Sequence, residues 1–180
     1  MLNTVQIIAF THRQFNFDEI GLFHLDDKQR IDVLTNLKTN LNINELMYLS
    51  TCNRVEFILS HEKKITKTFV EQLIKQILAD QLPTNLKDIV DRAEIINNKA
   101  AVHHIFSVAS SIDSLVVGER EIITQVRKAF EECRENNLCG DVIRVLVQST
   151  ISTAKKVYTE SNIGTRPVSI VSLAFLELKK

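Results

Sequence analysis

Residues 43–61 read INELMYLSTCNRVEFILSH, and the reading of this stretch decides the fold. Residues 43–50 and 55–61 are apolar and β-prone, each of strand length. Between them lies Thr51-Cys52-Asn53-Arg54, a short polar connection. Toward the N-terminus, residues 3–10 (NTVQIIAF) read as a first strand, and 16–25 as a short helix or a loop. Asp26 and Asp27 are placed to cap a helix running to about Thr39, with Ile31 and Leu34 turned inward. Toward the C-terminus, Ile65 to Asp80 has helical spacing (Phe69, Leu73, Ile77) and is closed by Pro83, and residues 92–96 predict a fourth strand. The order strand, helix, strand, strand, helix, strand predicts an α+β fold, a βαββαβ chain with helices packed on a small antiparallel sheet.

From Asn97 onward the pattern turns helical and predicts a helical subdomain. Ala101, His104, Ile105, Val108 and Ala109 fall on one stripe. Glu119–Asn137 is strongly amphipathic, with Ile122, Val126, Ala129 and Cys133 on one face; Gly140 is placed to end it and Asp141 to cap the next helix. That helix runs to about Asn162, where Gly164 breaks it, and Thr165-Arg166-Pro167 starts one more helical stretch. It stops at Lys180 without cap or tail, so we expect residues 1–160 to be one domain and 161–180 a linker and helix leading to a further domain.

The 180 residues carry 22 Lys+Arg against 22 Asp+Glu, which removes any global electrostatic argument for nucleic acid. No basic leader with a long apolar core opens the chain and no apolar run is of bilayer length, so neither secretion nor a membrane is expected. Three cysteines, an odd number, suggest reduced thiols in cytoplasm. The four glycines form neither a dinucleotide-binding nor a P-loop signature.

The polar break at Ser50–Glu56 is the sharpest candidate for chemistry. On an extended chain Cys52, Arg54 and Glu56 would share a face. A nearby cation raises the thiolate fraction of a cysteine, Arg54 can grip a carboxylate through two parallel bonds, and Glu56 can orient the guanidinium. Such an arrangement suits attack on an activated carbonyl of an acidic substrate. The competing reading makes Cys52 a small buried hydrophobe. Cys133 lies on an apolar stripe and reads as core; zinc is disfavoured because Cys52 has no second cysteine at ligand spacing. His104 points toward packed structure and His103 toward solvent. Residues 110–119 (SSIDSLVVGE) form a polar loop of the kind that holds substrate on rigid scaffolds, with Glu119 suited to a helix N-terminus.

The segment STCNRVE (50–56), followed by AVHHIFSVASSIDSLVVGEREI (101–122), resembles the glutamyl-tRNA reductase family, and the resemblance covers nearly the whole chain. It implies that Cys52 attacks the ester joining glutamate to tRNA, giving a glutamyl thioester and free tRNA. NADPH then delivers hydride and releases glutamate-1-semialdehyde for tetrapyrrole synthesis. It implies substrate contacts for Thr51, Arg54 (to the glutamyl carboxylate), Glu56, Ser114 and Glu119, and a site role for His104 as base, orienter or pocket wall. Glu121 stands where the family usually has glutamine, and His12-Arg13-Gln14-Phe15 follows the family's H-K-T/S-A loosely. The family also implies a separate NADPH-binding domain, a homodimer when full length, and glutamate-1-semialdehyde aminomutase as a partner. With no NADPH site expected in residues 1–180, this chain should at most cleave the ester. Two readings from other classes stand beside this one: a non-catalytic ferredoxin-like binding module with a structural Cys52, and a cysteine hydrolase unrelated to tRNA.

Overall fold

The computed structural model describes residues 2–79, 81–114, 117–119 and 121–165. Four strands, β1 (Val5–Thr11), β2 (Glu45–Thr51), β3 (Arg54–Ser60) and β4 (Glu94–Asn97), form one antiparallel sheet in the order β2-β3-β1-β4. This is the order of the predicted βαββαβ chain, in which each crossover skips one strand position and the other half fills the gap. Every residue of β1 and β3 is buried, so the sheet is covered on both faces.

Residues paired directly across an antiparallel ladder share a face. One face therefore carries Ile8 and Phe10 of β1, Val55, Phe57 and Leu59 of β3, and Leu46 and Tyr48 of β2. Phe10 stacks on Phe23 at 3.9 Å between centroids, and Tyr48 lies 5.3 Å from Phe57. The Tyr48 hydroxyl donates to the Phe23 carbonyl and accepts from the Leu25 amide, which ties the first crossover to the sheet. That crossover holds α1 (Phe17–Gly21) and α2 (Arg30–Asn40); the second holds α3 (Lys67–Leu78) and α4 (Leu86–Arg92).

The opposite face carries Ala9 and Thr11, Arg54 and Glu56, and Leu49 and Thr51. Here α5 (Asn98–Ala109) packs on β1 and α7 (Asp141–Glu160) on β2 and β3, while α6 (Glu121–Glu135) runs against β2. The helices expected as a following subdomain thus form the second cover of the same core. No described helix is long and apolar enough to cross a membrane.

Several local expectations are corrected. Asp26 and Asp27 do not cap α2: the Asp26 carbonyl closes a turn onto Gln29 and Arg30, and the helix starts at Arg30 with Gln29 as an N-cap without a side-chain bond. The inward stripe of α3 is Val70, Leu73, Ile74 and Leu78, with Phe69 and Ile77 only partly buried. The short α4 was not anticipated; it buries Ile89 and Val90, and the Lys67 ammonium donates to the carbonyls of Val90, Asp91 and Ala93 at its C-terminus. Asn137, at φ 59°, ends α6 in place of Gly140: the Leu138 amide bonds the Cys133 carbonyl and the Asn137 amide that of Arg134. The helical stretch expected after Thr165 lies outside the described residues.

Gly140 is instead the N-cap of α7, and Asp141 is that helix's first residue. The cap comes from the sheet: the Glu45 carboxylate accepts from the amides of Gly140 (2.9 Å), Val142 (3.0 Å) and Ile143 (2.8 Å). A Cβ at position 140 would stand 2.8 Å from Glu45 Oε1, so any larger residue there has to push the capping carboxylate aside. Loss of a charged cap typically costs about 1–2 kcal/mol. We expect Glu45→Ala to destabilise the chain by about that amount and Gly140→Ala to destabilise it by displacing the same carboxylate. Denaturant melts of each variant and of the pair check this. Costs of the two changes that simply add would contradict the shared cap.

Candidate functional site

Thr51 and Arg54 pair across the ladder, so β2 and β3 are joined by a two-residue turn, Cys52-Asn53. The turn is held from three sides. The Thr51 hydroxyl donates to Asn53 Oδ1 at 3.0 Å, the Asn53 amide points back at the Thr51 oxygen, and the Asn53 carbonyl accepts from the His12 amide at 3.0 Å. Thr51 and Asn53 are buried; Cys52 is exposed. The alternation expected to group Cys52 with Arg54 and Glu56 holds for the latter two only, because Cys52 sits on a turn and not on extended chain.

Behind the turn lies a buried cluster of charges. Arg54 is 1% exposed and donates from Nη1 to Glu56 Oε1 at 2.7 Å and from Nη2 to the Asp113 carbonyl at 2.5 Å. Glu56 is fully buried, and the same Oε1 lies 2.9 Å from His104 Nε2. His104 Nδ1 faces Asp113 Oδ2 at 3.6 Å, and Asp113 Oδ1 lies 3.5 Å from Arg54 Nη2 and 2.7 Å from Arg13 Nη2. Burial pushes the Glu56 carboxyl up, but the bond and charge of His104, aided by Arg54, outweigh it and leave the group below its usual range. Burial pushes the His104 imidazole down; the Glu56 bond and charge outweigh it and raise the group above its ordinary value.

The loop that supplies Asp113 is closed by Ser111. Its hydroxyl oxygen accepts from the amides of Gly118 (3.0 Å) and Glu119 (3.1 Å), and Gly118 takes φ 94°, a conformation that favours glycine. Ser114 is half-buried beside Asp113, and the Glu119 carbonyl accepts from the Tyr158 hydroxyl of α7. Of the residues proposed from sequence, Arg54, Glu56 and His104 are thus in direct contact, and Thr51 and Cys52 belong to the turn that leads into β3. Ser114 follows Asp113 in the loop, whereas the Glu119 contacts run to Ser111 and Tyr158 and not to the cluster. Asp113, which the sequence reading covers only as part of the polar loop 110–119, is the hub of the cluster. Its signal was its place beside Ser114, but nothing local showed that it would face two arginines and a histidine.

The remaining thiols are in poorer positions for chemistry. Cys133 is buried, and Cys139 donates to the Leu46 carbonyl on the edge of β2. A hydrogen bond with Cys133, together with burial, pushes the Cys139 thiol far up. Among the described residues no group of three or more His, Cys, Asp or Glu could hold a metal ion.

Known proteins with similar features fit this arrangement. A family model described as "Glutamyl-tRNAGlu reductase, N-terminal domain" matches residues 8–161. The glutamyl-tRNA reductase of Nitratiruptor sp. is 36% identical over 171 residues, covering 93% of this chain and 38% of that protein. That of Campylobacter concisus is 35% identical over 178 residues, covering 96% and 40%. The chain therefore spans about two fifths of the length of these curated relatives. A solved structure, "Glutamyl-tRNA Reductase from Methanopyrus kandleri", shares the fold with a TM-score of 0.74 at 24% identity, over 98% of this chain and 39% of that one.

The two pKa displacements fix a pH signature. His104's folded value is raised, so its pairing stabilises the fold fully below the ordinary value of about 6.5 and is lost as pH climbs through the raised value. Glu56's is lowered, so its contribution is present above the usual carboxylate range and fades as pH falls through the lowered value. We expect Glu56→Gln to remove the interaction that outweighs burial, so that His104 then titrates below about 6.5. An NMR titration of the ring protons reads this directly; an unchanged His104 midpoint in the variant would contradict the pairing.

Proposed function

The chain belongs to the glutamyl-tRNA reductase family, matching its N-terminal domain, and from that membership we propose that it forms the covalent intermediate of glutamyl-tRNA reduction on Cys52. The Cys52 sulfur attacks the carbonyl carbon of the ester joining glutamate to tRNA. A carbon–sulfur bond forms, the ester carbon–oxygen bond breaks, and the ribose oxygen leaves with a proton. One observation carries the reading: the exposed thiol stands at the tip of a turn whose two neighbours are buried and hydrogen-bonded. The nucleophile is thus presented to a macromolecular substrate on a rigid support.

The cluster behind it supports an acidic acyl group. Arg13, Arg54 and His104 gather around two carboxylates, Glu56 and Asp113. The two guanidiniums suit a glutamyl substrate and the negative charge that develops on the ester oxygen during attack. Both ring nitrogens of His104 face carboxylates. This suits an imidazolium and leaves no lone pair for a general base, so His104 is assigned to positioning. A guanidinium carries five N–H donors, and the contacts of Arg54 use part of them. Its 1% exposure means that the Asp113 segment must shift before a substrate carboxylate reaches it. Thr51 fixes the turn, Glu56 anchors Arg54, and Ser114 follows Asp113 on the facing loop, which the Glu119 amide helps to close through Ser111.

In the full-length enzyme NADPH supplies hydride to reduce the bound acyl group to glutamate-1-semialdehyde, a precursor of tetrapyrroles. The described residues do not fit that cofactor. Their sheet is antiparallel throughout and offers no parallel strand leading through a glycine-rich turn into a helix N-terminus. No reduction step is assigned to them, and water would slowly resolve the thioester formed by this chain alone.

Incubation with glutamyl-tRNA followed by mass spectrometry of the intact protein is expected to show a glutamyl adduct that Cys52→Ser abolishes. Cys52 should also alkylate faster at neutral pH than Cys133 and Cys139. Equal, slow alkylation of all three thiols and no adduct would return the chain to a binding module. An adduct formed equally well from simple glutamyl esters would point to a hydrolase indifferent to tRNA.

A further inference from the structure

Arg54, the arginine marked out by sequence, turns its guanidinium inward, and the cation of the cluster that faces solvent is Arg13. The Arg13 side chain is 59% exposed, and Asp113 Oδ1 holds its Nη2 at 2.7 Å. Its backbone position is set by the nucleophile's own turn: Thr11 pairs with Arg54 at the end of β1, and the next amide, His12, bonds the Asn53 carbonyl. Arg13 therefore leaves the sheet beside Cys52-Asn53 and is drawn by Asp113 across to the facing loop. The result is an anchored, exposed guanidinium at the rim of the buried cluster.

We propose that Arg13 binds a backbone phosphate near the acylated end of the tRNA and so sets the ester over Cys52. This rests on the reading of the chain as a glutamyl-tRNA-binding domain. Two ligand groups could meet the guanidinium, the glutamyl carboxylate and a phosphodiester, and exposure decides between them. An ion pair between one small carboxylate and a solvent-exposed arginine contributes little, because water screens it. A phosphate on a polyanion releases a condensed counterion when it is neutralised, and that gain does not require the pair to be buried. Asp113 adds direction: by holding Nη2 it limits the conformations the side chain must give up on binding.

The test is tRNA binding to the full-length protein across a salt series, which involves no chemistry at Cys52. Arg13→Gln is expected to make the slope of log Kd against log salt shallower by about 0.7–0.9, one phosphate's worth. The loss should be the same for glutamyl-tRNA and for uncharged tRNA, because the phosphate is present in both. Arg13→Lys should restore the slope. Lys75→Gln, which removes an exposed cation paired with Glu71 on α3, should leave it unchanged. An Arg13→Gln slope equal to wild type would overturn the proposal. Weakening confined to glutamyl-tRNA would also overturn it, by assigning Arg13 to the carboxylate. If wild-type protein forms no adduct with glutamyl-tRNA, the Cys52 reading fails alone and the salt slopes still decide the role of Arg13.

Discussion

The structure around the candidate site depends on keeping Arg54 and Glu56 charged in a place that water does not reach. Two neighbouring same-face positions of a central strand, 1% and 0% exposed, carry opposite charges 2.7 Å apart. Ions taken out of water cost several kcal/mol each, and their attraction offsets this only when the remaining donors and acceptors are also met. His104 from α5 and the Asp113 carbonyl from the next loop supply those contacts. Removing one member would leave an uncompensated charge, at a cost of about 3–5 kcal/mol. The cluster therefore dictates where α5 and the Asp113 loop lie relative to β3. Glu56 Oε2 is buried without a partner among the described residues, so the network has one acceptor still unused.

That constraint separates two tasks that the alternation of an extended chain would place on one strand face. The charged residues face inward and hold the second layer of helices to the sheet. The thiol stands outside, on a turn pinned by Thr51, Asn53 and the His12 amide. The exposed thiol and the buried ion pair are thus carried by different residues of one seven-residue segment. Reach toward solvent falls to Arg13, which borrows its anchor from Asp113 in the buried group.

The four strands and their order followed from alternating apolar runs and the polar break at residues 51–54, because these signals are local. The stripe of α5 was readable too: Ala101, Ile105, Val108 and Ala109 are all buried, and His103 is exposed where His104 is not. What escaped was set by contacts distant in sequence. Leu86–Arg92 is too short for periodicity to mark, and it gains its C-terminal support from Lys67. Gly140 suggested a stop by composition, yet Asn137 takes the left-handed position and the glycine serves the next helix. The turn motif and the later DSLVVGE run could both be singled out from sequence. Their convergence on Asp113, over 59 residues from Arg54, could not.

Glu45 carries a wider meaning than a capped helix. It lies on the outermost strand, yet its carboxylate closes the first turn of the longest helix, 95 to 98 positions further on. On the same edge the Leu46 amide and carbonyl are taken by Leu138 and Cys139. At this point the border open to strand addition by a foreign chain is already occupied by the protein's own later segment. Until that segment arrives during synthesis, the nascent sheet has an open flank and the Glu45 carboxylate lacks the amides it caps. The first hundred residues made alone would carry that open edge into solution and invite strand addition from a second copy.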